Sequence, residues 1–286
     1  MILNESAFAK LNLTLDVLDR RADGYHDLRS VMQTVSVRDD ITLELDTHAP
    51  WRLECDAEGI PTDGTNLAWR AAELYLKELH KSVDGLTIRI VKRIPSEAGM
   101  AGGSADAAAV LRALNCAFDA PLSLPALAEL GARLGSDVPF CVLGGTALAE
   151  GRGERITQLP PAPEMTYVIC KPELSLSTPE LYAQLDAISV GERPDTTAMR
   201  AALQKGDLER IGKQLCNVFE QVTIPAHPEL NYIKSILMTY GAYGALMTGS
   251  GSAVFGIFDA FESAAVACMM LRENYSQVFL AQNVSF

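Results

Sequence analysis

The glycine-rich stretch from Pro95 to Ala109 constrains the fold more than any other part of this chain. Before it, residues 86–94 alternate apolar and polar side chains, which predicts a half-buried strand. After it, an alanine-rich stretch predicts a helix over 104–118, with Ser104 as its N-cap. A glycine loop that ends at a helix start presents backbone N–H donors and a positive dipole end. This arrangement favours binding of a phosphate group.

The sequence of this loop does not match the commonest phosphate-binding motifs. It has no Gly-x4-Gly-Lys-Ser/Thr, and no Gly-x-Gly-x-x-Gly opens an N-terminal βαβ unit. The chain also lacks the His-Arg-Asp and Asp-Phe-Gly signatures of protein kinases. An ordinary tight turn before a helix is the alternative, and the flanking strand and helix favour phosphate binding over it.

The composition narrows the class of protein. With 24 basic and 36 acidic residues among 286, the net charge is −12, which disfavours nucleic-acid and anionic-membrane partners. Six cysteines without a Cys-x-x-Cys pair favour reduced thiols, and four histidines lack metal-ligand spacing. The first residues do not read as a signal peptide, and the longest apolar run, 264–271, is too short to span a bilayer. We therefore expect a cytoplasmic protein.

The proline-rich segment 159–163 predicts a junction between two domains, 1–160 and 161–286. Strands are predicted in the first half at 7–17, 30–37, 40–45 and 86–94, and helices at 66–79, capped by Thr65, at 104–118 and at 123–134. Because these elements show no regular βαβ alternation, they predict an α+β domain.

The second half predicts a ferredoxin-like arrangement. Its predicted strands are 166–171, 245–248, 253–258 and 277–281, and its predicted helices are 178–186, 196–204, 207–219, 228–240 and 260–274. A strand, several helices, a hairpin, a helix and a last strand match the split βαβ pattern. Gly241 is the expected C′ residue of the helix over 228–240.

Two segments near the N-terminus carry candidate binding residues. Lys10, Asn12 and Thr14 are two positions apart, so they share one face of a strand, where a lysine and an asparagine could contact a hydroxyl and a phosphate. Tyr25 and His26 follow an Asp-Gly turn, where an aromatic ring could stack on a base and the imidazole could hydrogen-bond to it. The alternatives are a solvated edge strand and a surface turn.

Two later segments carry further candidates. Asp137 lies between a glycine turn and a proline at the start of an apolar run, which predicts a half-buried carboxylate suited to general-base work. A helix cap or a turn is its alternative role. Residues 247–253 form a second glycine-rich loop between two predicted strands, and a plain hairpin turn is the alternative there.

Taken together and in this order, these segments resemble the GHMP small-molecule kinases, the family of galactokinase, homoserine kinase and mevalonate kinase. Residues 95–105 resemble the family's phosphate-binding motif, and residues 247–253 resemble its third motif. The resemblance covers essentially the whole chain. It implies an α+β, two-domain GHMP kinase fold, with an N-terminal domain like domain 2 of ribosomal protein S5 and a ferredoxin-like C-terminal domain.

Three residues of the loop differ from those that are usual in the family. Met100 stands where leucine is usual, which conserves volume, and Ala105 stands where serine is frequent. Ala101 replaces a frequent glycine, and it would be unfavourable if that position required a positive φ.

The resemblance also implies roles for individual residues. Lys10 and Asp137 are the expected catalytic pair, Asp137 as the base and Lys10 as the stabilising cation, and they are expected to converge on one alcohol. ATP and Mg²⁺ are the expected cofactors, with the metal ligands undetermined and Ser104 the best candidate. The expected ATP-binding residues are Pro95, Ser96, Glu97, Ala98, Gly99, Met100, Ala101, Gly102, Gly103, Ser104, Ala105 and Asn66.

The acceptor implied by the resemblance is the 2-hydroxyl of a cytidyl-diphosphate methylerythritol, because the Asp-Gly-Tyr-His segment at 23–26 matches one branch of the family. The expected substrate-binding residues are Asn12, Tyr25, His26, Thr178, Tyr182, Gly249 and Gly251. Two alternatives stay open: a sibling kinase acting on homoserine or mevalonate, and a non-catalytic nucleotide sensor. The sequence leaves the oligomeric state undetermined.

Overall fold

The computed structural model describes residues 1–45 and 49–284, and these divide into two compact units. The first unit contains residues 1–9, 37–94 and 101–144. The second contains residues 10–36, 95–100 and the chain from 145 onward.

The described residues contain strands and helices in mixed order. The strands are β1 (Ile2–Arg20), β2 (His26–Leu45), β3 (Arg52–Cys55), β4 (Leu86–Val91), β5 (Thr146–Gly151), β6 (Arg155–Gln158), β7 (Thr166–Lys171), β8 (Cys216–Asn217), β9 (Gly244–Met247), β10 (Val254–Phe258) and β11 (Gln277–Gln282). The helices are α1 (Leu67–Glu78), α2 (Gly102–Ala117), α3 (Leu124–Gly131), α4 (Val138–Leu143), α5 (Thr178–Asp186), α6 (Thr196–Lys205), α7 (Leu208–Gln214), α8 (Glu220–Ala226), α9 (Pro228–Thr239) and α10 (Phe261–Arg272).

The first unit contains helices α1 to α4 and part of a seven-stranded sheet. Strand β4 pairs antiparallel with residues 40–45 of β2 and parallel with β3. Its apolar side chains at 86, 88 and 90 are buried, as the alternation predicts. Helix α2 contacts α1, α3 and α4, and its alanines at 105 and 107–109 are buried. Because alanine is small, the start of α2 can lie close to its neighbours.

The second unit contains a four-stranded antiparallel sheet in the order β11-β7-β10-β9. Residues of β7 and β10 pack with α9 and α10 in one apolar core that includes Val168, Phe258, Leu237 and Leu271. This arrangement confirms the predicted ferredoxin-like pattern. Gly241, just after α9, has a φ of 94°, as expected of a C′ glycine.

Several predicted boundaries are wrong. The strand predicted over 86–94 ends at Val91, and those predicted at 30–37 and 40–45 are parts of the single strand β2. The helix predicted over 207–219 ends at Gln214, because Leu215 takes an extended backbone and residues 216–217 then pair in parallel with β1. Strands β3, β5, β6 and β8 and helices α4 and α8 are absent from the prediction. Strands β3, β6 and β8 have four residues or fewer and give little periodic signal.

A buried ionic cluster joins β2, the end of β4 and the start of α2 in the first unit. Lys92 donates to Asp39 and, at 2.9 Å, to Asp106. Asp39 also accepts from the backbone N–H of Ile94 at 2.8 Å. Burial raises the pKa of Asp106 to about 7, because its attraction to Lys92 does not offset desolvation and the repulsion of Asp39. Asp106 Oδ1 is buried without a hydrogen-bond partner among the described residues.

Asp106 is expected to make stability depend on pH. The unfolded carboxyl loses its proton near its ordinary pKa of 3.8, so between that pH and about 7 the folded state binds more protons. The free energy of unfolding should therefore fall as pH rises through this window. Asp106→Asn should flatten that slope in urea unfolding across the window. Asp40→Asn removes an exposed carboxylate that pairs with Arg93, and it should keep the wild-type slope. An unchanged slope in Asp106→Asn would contradict the assignment.

Candidate active site

Strand β1 places Lys10 and Asn12 side by side in the interior of the second unit. Lys10 is 4% exposed, and its Nζ donates to Asn12 Oδ1 at 2.6 Å and to the carbonyl of Gly99 at 2.7 Å. Asn12 Nδ2 donates to the Ser30 hydroxyl at 2.7 Å. The alternative of a solvated edge strand is wrong, because this polar face is as buried as the leucine face.

Among the described residues of the second unit, no carboxylate forms an ion pair with the Lys10 ammonium. Its two hydrogen bonds go to neutral oxygens, so neither of these contacts offsets the charge of the ammonium. A buried cation without a counter-ion gains much from an anionic oxygen. The strand therefore holds a charge that is suited to a phosphoryl group.

The glycine loop alternates the sign of its φ angles. Glu97, Gly99 and Ala101 have φ values of 51°, 71° and 60°, and the residues between them are not left-handed. Alternation of left-handed residues with others is typical of anion-binding nests, in which successive N–H groups face one concave side. This alternation of φ is what we expect of a loop that binds a phosphate group.

Two hydrogen bonds to Lys10 orient the middle of this loop. The carbonyl of Gly99 accepts from Lys10 Nζ, and the carbonyl of Met100 accepts from the Lys10 backbone N–H at 3.2 Å. In a trans peptide the N–H points opposite to the C=O. The N–H of Met100 therefore points away from β1, where a ligand oxygen can accept from it.

The second glycine-rich loop packs directly on the first. Ser252 and Ala253 donate their backbone N–H groups to the carbonyls of Glu97 and Ala98, both at 3.3 Å. Gly249 and Gly251 have φ values of 58° and 82°. A Cβ on Gly249 would lie 2.8 Å from the Gly99 carbonyl oxygen. The plain-hairpin alternative is therefore incomplete, because the loop also packs on the first glycine-rich loop.

Gly99 is the tightest point of this contact. A Cβ there would lie 2.1 Å from the Thr248 carbonyl oxygen, and its φ is positive. Gly99→Ala is expected to cost about 3 kcal/mol of unfolding free energy, from overpacking and left-handed strain. Gly59→Ala has a similar φ with nothing within 4 Å, so only the strain of about 1 kcal/mol applies. Urea unfolding of both variants measures the difference, and equal losses would contradict the proposed steric clash.

Thr248 is a central residue that sequence reasoning missed. Its hydroxyl accepts from the Asn12 N–H at 3.0 Å and lies 3.3 Å from Asn12 Oδ1. Asn217 was also missed, because it fell in a predicted helix. Its Nδ2 donates to the carbonyls of Met247 and Gly249, both at 2.8 Å, and its Oδ1 accepts from the Phe219 N–H at 3.0 Å. The burial of Asn217 is known only from the fold, so the sequence alone gave no signal for this residue.

In the first unit, α2 begins two residues earlier than predicted. Ser104 was the expected N-cap, but the helix starts at Gly102 and the N-cap is Ala101, whose side chain cannot accept a hydrogen bond. Within the described ranges, the N–H groups of Gly102, Gly103 and Ser104 have no protein acceptor. These donors and the positive end of a sixteen-residue helix are available to an anion.

Asn66 lies at the start of α1, beside the start of α2. It is the N-cap in place of the predicted Thr65, since its side chain accepts from the Ala68 N–H at 2.8 Å. Its Nδ2 donates to the Pro61 carbonyl at 2.7 Å. A Cβ on Gly103 would lie 3.7 Å from Leu67 Cδ1, so the two helix starts are close.

Asp137 occupies the N-cap position of α4 but does not cap it, because its carboxylate makes no capping hydrogen bond. It is half-buried, as predicted. Its turn lies beside the start of α2, since a Cβ on Gly135 would be 3.9 Å from the Ser104 hydroxyl oxygen. The first unit thus collects Asn66, Ser104 and Asp137 around one helix start.

Tyr25 and His26 differ in environment. Tyr25 is 58% exposed, with the Arg152 guanidinium 5.2 Å from its ring centroid. His26 is buried, and the Tyr182 ring stacks on it with centroids 4.9 Å apart. The surface-turn alternative therefore fits Tyr25 but not His26. Asp186, which sequence reasoning missed, lies 2.8 Å from His26 Nε2.

Thr178 begins the helix that carries Tyr182. Its hydroxyl donates to the Ser250 hydroxyl at 2.8 Å, which ties α5 to the second glycine-rich loop. The expected substrate-binding residues 12, 26, 178, 182 and 249 thus all lie in the second unit.

No group of three or more His, Cys, Asp or Glu side chains in the described ranges is arranged to hold a metal ion. Among the helices of residues 1–45 and 49–284, none is long and apolar enough to cross a membrane.

Comparisons with known proteins find relatives along most of the chain. Residues 66–145 match the GHMP kinases N terminal domain, and residues 199–277 match the GHMP kinases C terminal domain. A 4-diphosphocytidyl-2-C-methyl-D-erythritol kinase of Caldicellulosiruptor saccharolyticus is 50% identical over 252 residues, covering 88% of this chain and 87% of the relative. The kinase of the same name in Caldicellulosiruptor bescii is 46% identical and covers 96% of each chain.

Solved structures give the same result. A crystal structure of 4-(cytidine 5'-diphospho)-2C-methyl-D-erythritol kinase has a TM-score of 0.82 at 33% identity, covering 99% of this chain and 100% of its own. Homoserine kinase from Cytophaga hutchinsonii has a TM-score of 0.75 at 18% identity, covering 99% and 96%, which shows a shared fold. The predicted α+β, two-domain fold is confirmed, and the chain belongs to the GHMP kinase family.

Proposed function

We propose that this kinase transfers the γ-phosphoryl group of ATP to the 2-hydroxyl of 4-(cytidine 5'-diphospho)-2-C-methyl-D-erythritol, a step of isoprenoid precursor synthesis. The names of relatives up to 50% identical support the substrate. The single observation that carries the chemistry is the buried Lys10 ammonium, which is bonded to Asn12 and to the carbonyl of Gly99 in the phosphate cradle. It supports a cation placed where an alcohol oxygen and a phosphoryl group would meet.

The backbone is proposed to hold the triphosphate of ATP. The nest at residues 97–101 and the free N–H groups of Gly102, Gly103 and Ser104 supply donors without a Walker lysine. Asn66 is proposed to lie near the adenine. Residues 1–160 are proposed as the ATP-binding domain and 161–286 as its partner domain, and the reduced thiols support a cytoplasmic location.

Magnesium ions in phosphotransferases take few protein ligands and several phosphate oxygens. The donor set fits this pattern, because Ser104 offers a hydroxyl in the first turn of α2 and no carboxylate cage is found in the described ranges. Ser104 is the residue proposed to hold Mg²⁺. The ion would supply neutralisation of charge on the β- and γ-phosphate oxygens.

Phosphoryl transfer then requires a base and a stabilising cation. Asp137 is proposed to take the proton from the acceptor hydroxyl as its oxygen bonds to the γ-phosphorus. The bond between the γ-phosphorus and the bridging oxygen breaks, and that electron pair leaves with ADP. Lys10 stabilises the negative charge on the transferring group, and Asn12 positions the hydroxyl.

The nucleoside end of the acceptor is proposed to bind at the start of β2. Tyr25 offers an exposed ring face, and His26 offers a polar edge beside Tyr182. Thr178, Gly249 and Gly251 are proposed to lie along the rest of the substrate, where glycines permit close approach.

A coupled ADP-release assay with a panel of alcohols tests this function. Turnover of the cytidyl substrate, well above that of homoserine and mevalonate, is expected. Preferential turnover of either sibling substrate would overturn the substrate assignment. A thermal shift with the cytidyl substrate but no ADP release would instead favour a non-catalytic nucleotide sensor.

A further inference from the structure

Asp186 at the end of α5 is bonded to His26, and the proposed function gives it no role. The two side chains are 160 positions apart, and Asp186 Oδ1 lies 2.8 Å from His26 Nε2. The His26 side chain is 8% exposed and that of Asp186 is 42% exposed. The carboxylate therefore faces solvent on one side and contacts the imidazole on the other.

The contact determines where the imidazole carries its proton. A carboxylate only accepts hydrogen bonds, so Nε2 must donate and carries the hydrogen. In the neutral ring the other nitrogen, Nδ1, then has a free lone pair and can only accept. No residue in the described ranges forms a hydrogen bond with Nδ1. This nitrogen is also not fully buried, so it is in contact with solvent. A ligand can therefore reach this acceptor.

The orientation of the imidazole is also restrained by packing. Tyr182 stacks on it with an interplanar angle of 12°, and Phe219 meets the Tyr182 ring edge-on at 5.1 Å. Tyr182 and Asp186 are four residues apart on α5, so they lie on the same face of that helix. Turning the imidazole over would break the hydrogen bond, and rotating it out of its plane would break the stack.

We propose that Asp186 is a positioning residue that makes the site specific for cytosine over uracil. With Nε2 bonded to Asp186, Nδ1 accepts a hydrogen bond from the 4-amino group of cytosine. Uracil carries an oxygen acceptor at that position, so two lone pairs would face each other. The inference rests on the proposed function, since it assumes that His26 reads the base of the acceptor.

The physical basis is the cost of an unpaired polar group. A site built around a hydrogen bond rejects an analogue that cannot make it, because a polar group is then left unsatisfied. Without Asp186, the proton can move to Nδ1, which then donates to the 4-oxygen of uracil. Base preference should therefore depend on Asp186 although Asp186 itself does not touch the base.

The first test is the proton position in the wild-type protein. ¹⁵N spectra of the His26 imidazole at about pH 8, where an ordinary histidine is neutral, should show the hydrogen on Nε2. A hydrogen on Nδ1, or on both nitrogens, would overturn the proposal without any variant being made.

The second test compares kcat/KM for the cytidyl substrate and its uridyl analogue. Asp186→Ala should lower the cytidine-to-uridine ratio by about tenfold or more and leave kcat with saturating cytidyl substrate within about threefold. Glu180→Gln removes an exposed carboxylate from the same helix, and it should keep the wild-type ratio. An unchanged ratio in folded Asp186→Ala protein would overturn the proposal.

The two failures are distinguishable. If the wild-type protein does not phosphorylate the cytidyl substrate, the proposed function is contradicted. If it does, but Asp186→Ala leaves the preference for cytidine unchanged, only this inference is contradicted. Titration with CDP and UDP gives the same base comparison without phosphoryl transfer. There too, Asp186→Ala should lose the preference for CDP.

Discussion

Asp137→Asn is expected to lower kcat by about a hundredfold or more, because general-base catalysis contributes on this scale. The substitution keeps the shape of the side chain and removes its ability to take a proton. Helix α4 should not suffer, since the carboxylate makes no capping hydrogen bond in the structure. Rapid-quench measurement of the chemical step separates this loss from any change in product release.

The control for Asp137 is Glu129→Gln on α3, which removes one exposed carboxylate from the same unit. Its kcat should stay close to that of the wild type. If Asp137→Asn retained near-normal kcat with intact folding, Asp137 would not be the base, and another group or the phosphate itself would have to take the proton.

Lys10→Met should lower kcat by about a hundredfold to a thousandfold, the scale of losing an electrostatic contact to the transition state. The effect on the KM of the acceptor should be smaller, because the charge acts on the transferring group rather than on the bound alcohol. Methionine nearly matches the lysine stem, but it leaves Asn12 Oδ1 and the Gly99 carbonyl without their donor. A modest loss of stability should accompany the loss of rate.

Lys213→Met, which removes an exposed lysine paired with Glu209, is the matched control and should behave as the wild type. Nucleotide binding, followed by calorimetry, should survive in Lys10→Met. A rise in KM with unchanged kcat would show that Lys10 serves ground-state binding, and it would remove Lys10 from its proposed role.

Local patterns predicted much of the fold correctly. Residues 166–171 read as a strand and are one, because an apolar run of that length bounded by prolines fits a buried strand. The helix predicted over 123–134 begins at Leu124, with Ser123 as its N-cap, and ends at Gly131. Thr65 and Asn66 are both favoured N-cap residues, so residue preference alone does not decide which of the two caps α1. The loop before the helix favours Asn66, since its side chain also donates to the Pro61 carbonyl five residues earlier.

The start of α2 could not be predicted from residue preferences. Serine is a favoured N-cap and alanine is not, yet Ala101 takes the position with a φ of 60°. The doubt raised by this alanine was justified, because the backbone there is left-handed and costs about 1 kcal/mol. The loop tolerates this strain because the backbone is held on both sides of Ala101. Lys10 donates to the carbonyls of Gly99 and Met100 before it, and helix α2 begins at Gly102 after it.

Within the site, residues that share one strand could be predicted, and residues brought together by topology could not. Lys10 and Asn12 follow from a period of two, whereas Thr248 lies 236 positions from Asn12. Asp186 had a weak local signal, one helical turn after Tyr182. Only the fold shows that its partner is His26.

The side-chain amide of Asn217 has a consequence for motion. Both of its hydrogens are committed to the 247–249 backbone, and its oxygen holds the 219 backbone N–H. Local opening of the glycine turn at 249 therefore requires that residues 217–219 open with it, as one cooperative unit in hydrogen exchange. The rate at which this loop opens should therefore depend on breaking the hydrogen bonds of Asn217. The conformational freedom of its glycines should matter little.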